Sequence, residues 1–240
     1  MQLFYSKDID VKQSIYTFDK IESRHIIKVL RKNEGDKLYI TNGRNSLFVG
    51  EIIDANDKKC QVELLEHLPQ VAKRNYKVTI AIAPTKNNNR LEWFLEKATE
   101  IGIDNVQPIL CEHSERKVIK TDRLQKVMVT AMKQSKQYKL PDLQKLRSFK
   151  KWVTTEFNGQ KLIAQCLFDK ANKDKNYLQK QLIPNTDVLL FIGPEGGFSD
   201  KEIKLALQND FIPVSLGDNR LRTETAGIVA VQTIHLKNEL

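Results

Sequence analysis

The sequence predicts an α/β protein in which a parallel sheet carries helices on both faces and a small β-barrel domain precedes it. Two observations indicate this class. From residue 76 onward, short apolar runs alternate with segments of helical periodicity, which is typical of parallel strands joined by helices. Before residue 70, strand-like segments and turns follow one another directly. We therefore expect two domains, residues 1–70 and residues 74–240.

The N-terminal domain shows hairpin chemistry. An Asn42-Gly43 turn separates two alternating segments, which favours a two-stranded hairpin. One amphipathic helix is expected between Ile21 and Arg31, and the polar segment from Pro69 to Asn75 is typical of a linker. The strands expected here are Lys37–Thr41, Ser46–Ile53 and Gln61–Leu65.

The second domain alternates strands with helices. One helical stripe runs from Leu91 and ends at Gly102, a second spans Leu124–Met132, and Asp169–Lys180 is a short helix or loop. The last helix, Ala226–Leu236, is apolar on almost every side, so we expect it to be buried, with Thr223 or Thr225 as its cap. The strands expected are Val78–Ala83, Val106–Leu110, Lys161–Leu167, Val188–Ile192 and Ile212–Leu216.

The positive charge lies in the middle of the chain. Residues 71–151 carry 18 basic and 8 acidic side chains, whereas residues 1–70 carry 11 of each and residues 152–240 carry 10 and 11. The net charge of +9 is therefore central, which favours a polyanion such as nucleic acid as the partner. A lysine-rich solvated surface is the other interpretation.

Several protein classes are disfavoured by composition. No apolar run approaches 18 residues and the N-terminus lacks the apolar core of a signal peptide, so we expect neither a membrane span nor secretion. Three scattered cysteines suit a reducing cytoplasm better than a disulfide frame. No Cys/His pair has zinc spacing, so we expect no metal.

Two glycine-containing segments carry the strongest functional signal, Phe191–Ser199 and Leu216–Ala226. Each follows an apolar run and precedes a helical pattern, as do strand-to-helix loops that hold a small polar ligand. Ser199 and Glu202 have the spacing of a capping box, which starts a helix near residue 200. Neither loop has a phosphate-binding fingerprint, and Glu195 suits a cation or a hydrogen-bond donor. We expect one ligand pocket with two walls; an ordinary tight turn with a helix cap is the alternative for the first loop.

These loops resemble those of the 16S ribosomal RNA uridine-N3 methyltransferase family, of the SPOUT class. The likeness extends in order along the chain, so it is more specific than either loop alone. It departs at Asp218-Asn219, where the family usually has Pro-Arg, and after Gln134-Ser135, where the family has an arginine. The further matching segments are Arg24–Arg31 with Gly35-Asp36, Leu91–Gly102, His113–Arg116, and Ala131 through Ser135 with Pro141.

The resemblance implies a PUA-like N-terminal domain, a C-terminal trefoil knot, a homodimer and an S-adenosyl-L-methionine site at the knot. It also implies methylation of N3 of a uridine in 16S ribosomal RNA, free or in the small ribosomal subunit, in the cytoplasm. Carried over by motif, the cofactor-binding residues are Leu167, Ile192, Gly193, Pro194, Gly196, Leu216, Gly217, Leu221 and Thr223.

Charged residues are expected to have roles in catalysis and in RNA binding. Arg222 is the candidate for contact with a base oxygen or a phosphate, and Glu195 or Glu224 for taking the N3 proton or orienting the base. The residues expected to bind RNA are Arg24, His25, Lys28, Arg31, Arg116, Arg123, Lys126 and Lys133. Two rival functions remain open: a non-catalytic RNA-binding protein of ribosome assembly, and an unrelated nucleotide-binding α/β enzyme, which the missing phosphate fingerprints disfavour.

Overall fold

A computed structural model describes residues 2–69, 74–165 and 176–239 of the chain. The helices are α1 (Lys20–Arg24), α2 (Asn88–Ile101), α3 (Thr121–Gln134), α4 (Phe149–Val153), α5 (Leu178–Gln181), α6 (Asp200–Gln208) and α7 (Thr223–Glu239). The strands are β1 (Leu3–Tyr5), β2 (Ile15–Thr17), β3 (Lys37–Thr41), β4 (Ser46–Asp54), β5 (Gln61–Pro69), β6 (Val78–Ile82), β7 (Asn105–Leu110), β8 (Asp142–Leu143), β9 (Arg147–Ser148), β10 (Gln160–Ala164), β11 (Val188–Ile192) and β12 (Ile212–Val214).

The chain divides into two units. The first comprises Met1–Lys73 and Met132–Leu140, and the second comprises Arg74–Ala131 and Pro141–Leu240. The residues Met132–Leu140, which the sequence pattern assigned to the second domain, group with the first unit because they bond to its hairpin. There the backbone N–H of Asn45 donates to the Tyr138 carbonyl at 2.9 Å.

The first unit is built on a curled sheet in the order β1-β3-β4-β5-β2. β1 runs parallel to β3, and the other pairs are antiparallel. The hydroxyls of Ser6 and Tyr16, which lie at its two edges, share a hydrogen bond, so the edges approach each other. The predicted hairpin is confirmed, with Gly43 at a φ of 73° in its turn.

The helix expected between Ile21 and Arg31 is interrupted. α1 begins after Asp19, whose carboxylate accepts from the Glu22 N–H at 2.8 Å, and it ends at Arg24. A π-helical turn then spans His25–Val29, where the Leu30 N–H donates to the His25 carbonyl at 2.9 Å. Such wide turns are frequent at functional sites.

The described part of the second unit holds a sheet ordered β12-β10-β11-β6-β7-β8, with β9 also paired to β7. Every pair is parallel, as the sequence predicted. Helices cover both faces. Ala81 faces α4 and α6, whereas its neighbour Ile82 faces α7, where a Cβ on Gly227 would stand only 2.5 Å from the Phe94 ring. That glycine lets α7 pack closely on α2 and β6.

Two helix ends decide how this sheet presents its loops. α2 ends at Gly102, which has a φ of 106°, as predicted. α7 begins at Thr223, three residues before the expected Ala226, and the Thr223 hydroxyl donates to the Gly193 carbonyl at 3.1 Å. The early start places the α7 N-terminus beside the loop after β11, at the carboxyl edge of the parallel sheet.

Candidate functional site

A cavity of about 540 Å³ opens at the carboxyl edge of the second unit's sheet. Its size is within the range of small-molecule sites. Residues from three segments line it: Ala164–Gln165, Ile192–Ile203 and Ser215–Ala226. All three follow parallel strands, and such strand ends are where open α/β sheets bind ligands. The two glycine-containing segments singled out in the sequence therefore meet at one pocket.

The first loop, Gly193–Ser199, is held from several sides. The Lys86 N–H donates to Oε1 of Glu195 at 3.0 Å, and Nδ1 of His113 lies 3.2 Å from the Gly197 carbonyl oxygen. Together with the Thr223 hydrogen bond on Gly193, these contacts fix the first, third and fifth residues of the loop. The backbone of this cavity wall is therefore preorganised.

A capping box closes the end of the first loop. The Ser199 N–H donates to Oε2 of Glu202 at 2.9 Å, and the Glu202 N–H donates to the Ser199 hydroxyl. The box confirms the prediction for α6. Oε1 of Glu202 also accepts from the Glu112 N–H at 2.9 Å, so one buried carboxylate joins two loops.

Arg116 holds the loop after β6, whose Lys86 bonds to the first loop. Its Nε donates to the Thr85 carbonyl at 3.1 Å, and its Nη2 donates to the Lys86 carbonyl. Lys86 in turn forms an ion pair with Glu115 at 2.9 Å. Arg116 was predicted to bind RNA, and the structure engages its guanidinium with backbone carbonyls next to the cavity wall.

The second loop, Leu216–Arg222, lines the cavity and is exposed at residues 217–220 and 222. Gly217 has a φ of 137°, a conformation that favours glycine, and a Cβ there would meet nothing within 4 Å. The Tyr177 hydroxyl donates to Oδ1 of Asp218 at 2.8 Å, and Nη2 of Arg220 donates to the Glu195 carbonyl at 3.3 Å. Arg222 lines the cavity and is exposed.

The cavity gathers the described cofactor-binding candidates. Leu167 lies outside the described residues. Sequence reasoning missed Gln165 and Asp200; the end of the β10 strand was the signal for the first, and the acidic first turn of α6 for the second. The predicted residues that line the cavity are Ile192, Gly193, Pro194, Gly196, Leu216, Gly217, Leu221 and Thr223.

The three catalytic candidates have different surroundings. Arg222 and Glu195 line the cavity, and Glu195 is half-buried. Glu224 is buried in the first turn of α7 and is not a lining residue. Its Oε1 lies 3.8 Å from Nε of Arg90, and its Oε2 has no hydrogen-bond partner within the described residues.

The RNA-binding candidates fall into two groups, a patch in the first unit and a second-unit group of Arg116, Arg123 and Lys126. In the first unit, Lys133 joins the N-terminal patch, because its Nζ lies 2.8 Å from Oε1 of Glu22 on α1. Lys133 lies in α3, and the sequence predicted it as an RNA-binding residue without this pairing. The candidates of this first-unit patch are Arg24, His25, Lys28, Arg31 and Lys133.

Ion pairs constrain several of these cations. Lys28 lies 3.9 Å from Asp57, and Nε of Arg123 lies 2.7 Å from Oε1 of Glu92. Exposed pairs of this kind contribute little to stability, so the same cations can exchange a carboxylate for a phosphate. Their role in RNA binding stays a prediction.

The described ranges show neither a metal-binding group of side chains nor a helix that could cross a membrane. Residues 2–69, 74–165 and 176–239 contain no group of three or more His, Cys, Asp or Glu side chains placed to hold a metal ion. Within the same ranges, no helix has both the length and the hydropathy needed to cross a bilayer.

Comparison with known protein families shows the family to which the chain belongs. Residues 72–235 match a family described as the RNA methyltransferase domain, which covers more than half of the chain. The chain belongs to this RNA methyltransferase family. Residues 18–65 match the RNA methyltransferase PUA domain, in agreement with the curled sheet of the first unit.

Individual relatives agree along nearly the whole chain. A Synechocystis protein named ribosomal RNA small subunit methyltransferase E is 30% identical over 93% of this chain and 73% of its own length. A Buchnera aphidicola protein of the same name is 28% identical over 93% and 91%. The chain is thus similar to proteins that are named ribosomal RNA methyltransferases.

Solved structures share the fold. A probable rRNA methyltransferase from Porphyromonas gingivalis is 41% identical, with a TM-score of 0.91 over 100% of this chain and 99% of the other. A methyltransferase described as putative, from Legionella pneumophila, solved in complex with the cofactor SAM, is 27% identical, with a TM-score of 0.86 over 98% and 97%.

Proposed function

We propose that this protein transfers a methyl group from S-adenosyl-L-methionine to N3 of one uridine in 16S ribosomal RNA. The observation that carries the proposal is the cavity, since both glycine-containing loops of the family motif line it. Membership in the RNA methyltransferase family and a similar protein solved with SAM support the cofactor. The uridine, its N3 atom and the 16S strand rest on the motif resemblance.

The cavity suits this cofactor on chemical grounds. Ile192, Leu216 and Leu221 offer an apolar slot for adenine, and the open side of Gly217 leaves its backbone accessible to the ligand. The lining carries three carboxylates, Glu195, Asp200 and Asp218, and two cations, Arg220 and Arg222. This excess of negative charge suits a cationic sulfonium better than a phosphate. When bound, the cofactor supplies an activated methyl group.

The protein's own task is to position the base and manage one proton. N3–H lies on the Watson–Crick edge, so the uridine must be unpaired or flipped out. Oε1 of Glu195 is engaged with the Lys86 N–H, so we assign the N3 proton to Oε2 of Glu195. We assign the uracil oxygen that gains negative charge to Arg222, which is exposed on the cavity wall.

Three further features belong to the proposal. We propose a trefoil knot around the cavity and a cytoplasmic site of action, both on the resemblance. We also propose a homodimer. The homodimer also rests on the resemblance.

Two experiments test the function. Mass mapping of 16S ribosomal RNA from cells that lack the gene should show one uridine without its N3 methyl group, restored by the wild-type gene. Unchanged methylation would contradict the proposal. Calorimetry with S-adenosylmethionine should show binding; absence of heat at high protein concentration would favour the non-catalytic assembly protein instead.

A further inference from the structure

Glu224 combines a buried charge with an incomplete set of partners. The residue is only 6% exposed, and its Oε2 lacks a hydrogen-bond partner among the described residues. Glu224 forms an ion pair with Arg90, whose Nε is 3.8 Å from Oε1. Burial of a carboxylate costs free energy unless the charge is well paired. A buried carboxylate with one unpaired oxygen at the edge of a binding site therefore suggests a functional role.

Arg90 is placed to supply that function. It lies in the first turn of α2, four residues after Lys86, which bonds to Glu195 on the cavity wall. Glu224 lies in the first turn of α7, two residues after the cavity-lining Arg222. The Arg90 and Glu224 side chains thus meet where two helices begin, beside the cavity and outside its lining.

The exposure of the two side chains is unequal. The Arg90 side chain is 39% exposed and the Glu224 side chain 8%. An arginine side chain has five N–H donors, so an ion pair between its Nε and one carboxylate oxygen at 3.8 Å leaves donors for a second anion. A planar, partly exposed guanidinium matches the geometry of a phosphate.

We propose that Arg90 binds a backbone phosphate of the RNA next to the methylated nucleotide, and that Glu224 is a positioning residue that holds its guanidinium. The inference rests on the proposed function and adds a contact that the sequence motifs did not assign. A phosphate is favoured over the reacting base because Arg90 does not line the cavity in which the base must meet the methyl group. The competing interpretation is an ion pair that only ties α2 to α7.

The first test compares Arg90→Gln with Lys97→Gln in the full-length protein. Lys97 lies on the same helix and is paired with Glu96 and Glu100, so its removal is a matched loss of one charge. The probe is an unmodified 16S rRNA transcript, with binding followed by fluorescence anisotropy at several salt concentrations. Arg90→Gln should raise the Kd about tenfold and reduce the salt slope by about one. Lys97→Gln should change neither.

The outcomes separate this inference from the proposed function. S-adenosylmethionine binding by Arg90→Gln, measured by calorimetry, should equal that of the wild type. If the wild type binds neither the cofactor nor the transcript, the proposed function fails. If the wild type binds both, and Arg90→Gln has the same transcript Kd and salt slope as Lys97→Gln, the phosphate contact is refuted. It is also refuted if Arg90→Gln lowers only kcat.

The second test addresses Glu224. Glu224→Gln keeps the shape and removes the charge, so it should weaken transcript binding by about threefold and add little in combination with Arg90→Gln. A structural tie would instead lower the melting temperature of both variants and leave transcript affinity unchanged. That result, or additive losses of affinity, would overturn the positioning role.

Discussion

The two loops that line the cavity are built in different ways. The first, Gly193–Ser199, is bonded to the α7 N-terminus, to the loop after β6 and to the loop after β7. The second, Leu216–Arg222, bonds to the first through Arg220 and to Tyr177 through Asp218, and its charged side chains are exposed. The difference indicates a division of labour in which the first loop fixes the shape of the pocket and holds Glu195 in place, and the second presents Arg222 to the proposed substrate.

The largest effect is expected in the second loop. Arg222→Ala should lower turnover about 100-fold, because one donor to a developing negative charge is lost. Cofactor affinity, measured by calorimetry, should stay within about twofold, since this side chain adds charge and not shape. Lys204→Ala removes an exposed cation of α6 and serves as the control. Undiminished turnover by Arg222→Ala would leave the second loop without its proposed role.

The first loop is tested by two substitutions at Glu195. Glu195→Gln retains an acceptor for the Lys86 N–H, so it should lower turnover about tenfold with unchanged cofactor affinity. Glu195→Ala removes the tie as well, so it should also weaken cofactor binding. Equal cofactor affinities for the two variants would show that this hydrogen bond does not shape the pocket.

Local chemistry explains what the sequence predicted well. The capping box at Ser199 and the glycine end of α2 depend on residues a few positions apart, and both are present. The parallel sheet was predicted from apolar runs separated by helices. These features need no knowledge of distant contacts.

Long-range contacts account for what the sequence did not show. Lys133 was predicted as an RNA-binding residue, and its pairing with Glu22 depends on residues 111 positions apart. Arg116 was expected to bind RNA, and the sequence did not show that it also donates to carbonyls about 30 positions earlier. Glu224 was expected at the reaction, and burial against α2 keeps it out of the cavity lining. Charge and spacing cannot reveal which partner a long side chain reaches.

The glycines of the two loops offer a finer comparison. A Cβ at Gly193 would lie 3.1 Å from the Phe198 ring, whereas at Gly217 only the φ of 137° opposes a side chain. Each change to alanine should lower the free energy of unfolding by about 1–2 kcal/mol. Phe198→Leu should partly rescue Gly193→Ala and leave the cost of Gly217→Ala unchanged. Denaturant unfolding measures both; rescue at Gly217 would contradict the assignment of strain to its backbone.

The smallest effect concerns the far end of α7, the helix whose first turn bonds to the first loop and directly follows the second. Burial, followed by the charge of Arg74, lowers the pKa of His235 from 6.5 to about 4. Its Nδ1 is 2.9 Å from the Tyr76 hydroxyl. Because the folded-state pKa is depressed, the stabilisation is present above pH 6.5 and is lost as the pH falls toward 4. Between pH 7 and pH 5.5 the loss should be roughly 1 kcal/mol.

Denaturant midpoints measured across this pH range test the effect against His235→Gln, which cannot titrate. The wild type should lose stability on acidification relative to this variant, whereas cofactor affinity at pH 5.5 should match that at pH 7 for both proteins. His235 lies at the opposite end of α7 from the cavity. Its titration should therefore lower the stability of the protein without changing the conformation of either loop. An acid-induced loss of cofactor affinity in the wild type alone would show that the pocket senses the state of this distant histidine, and the two loops would then not be fixed by their local contacts.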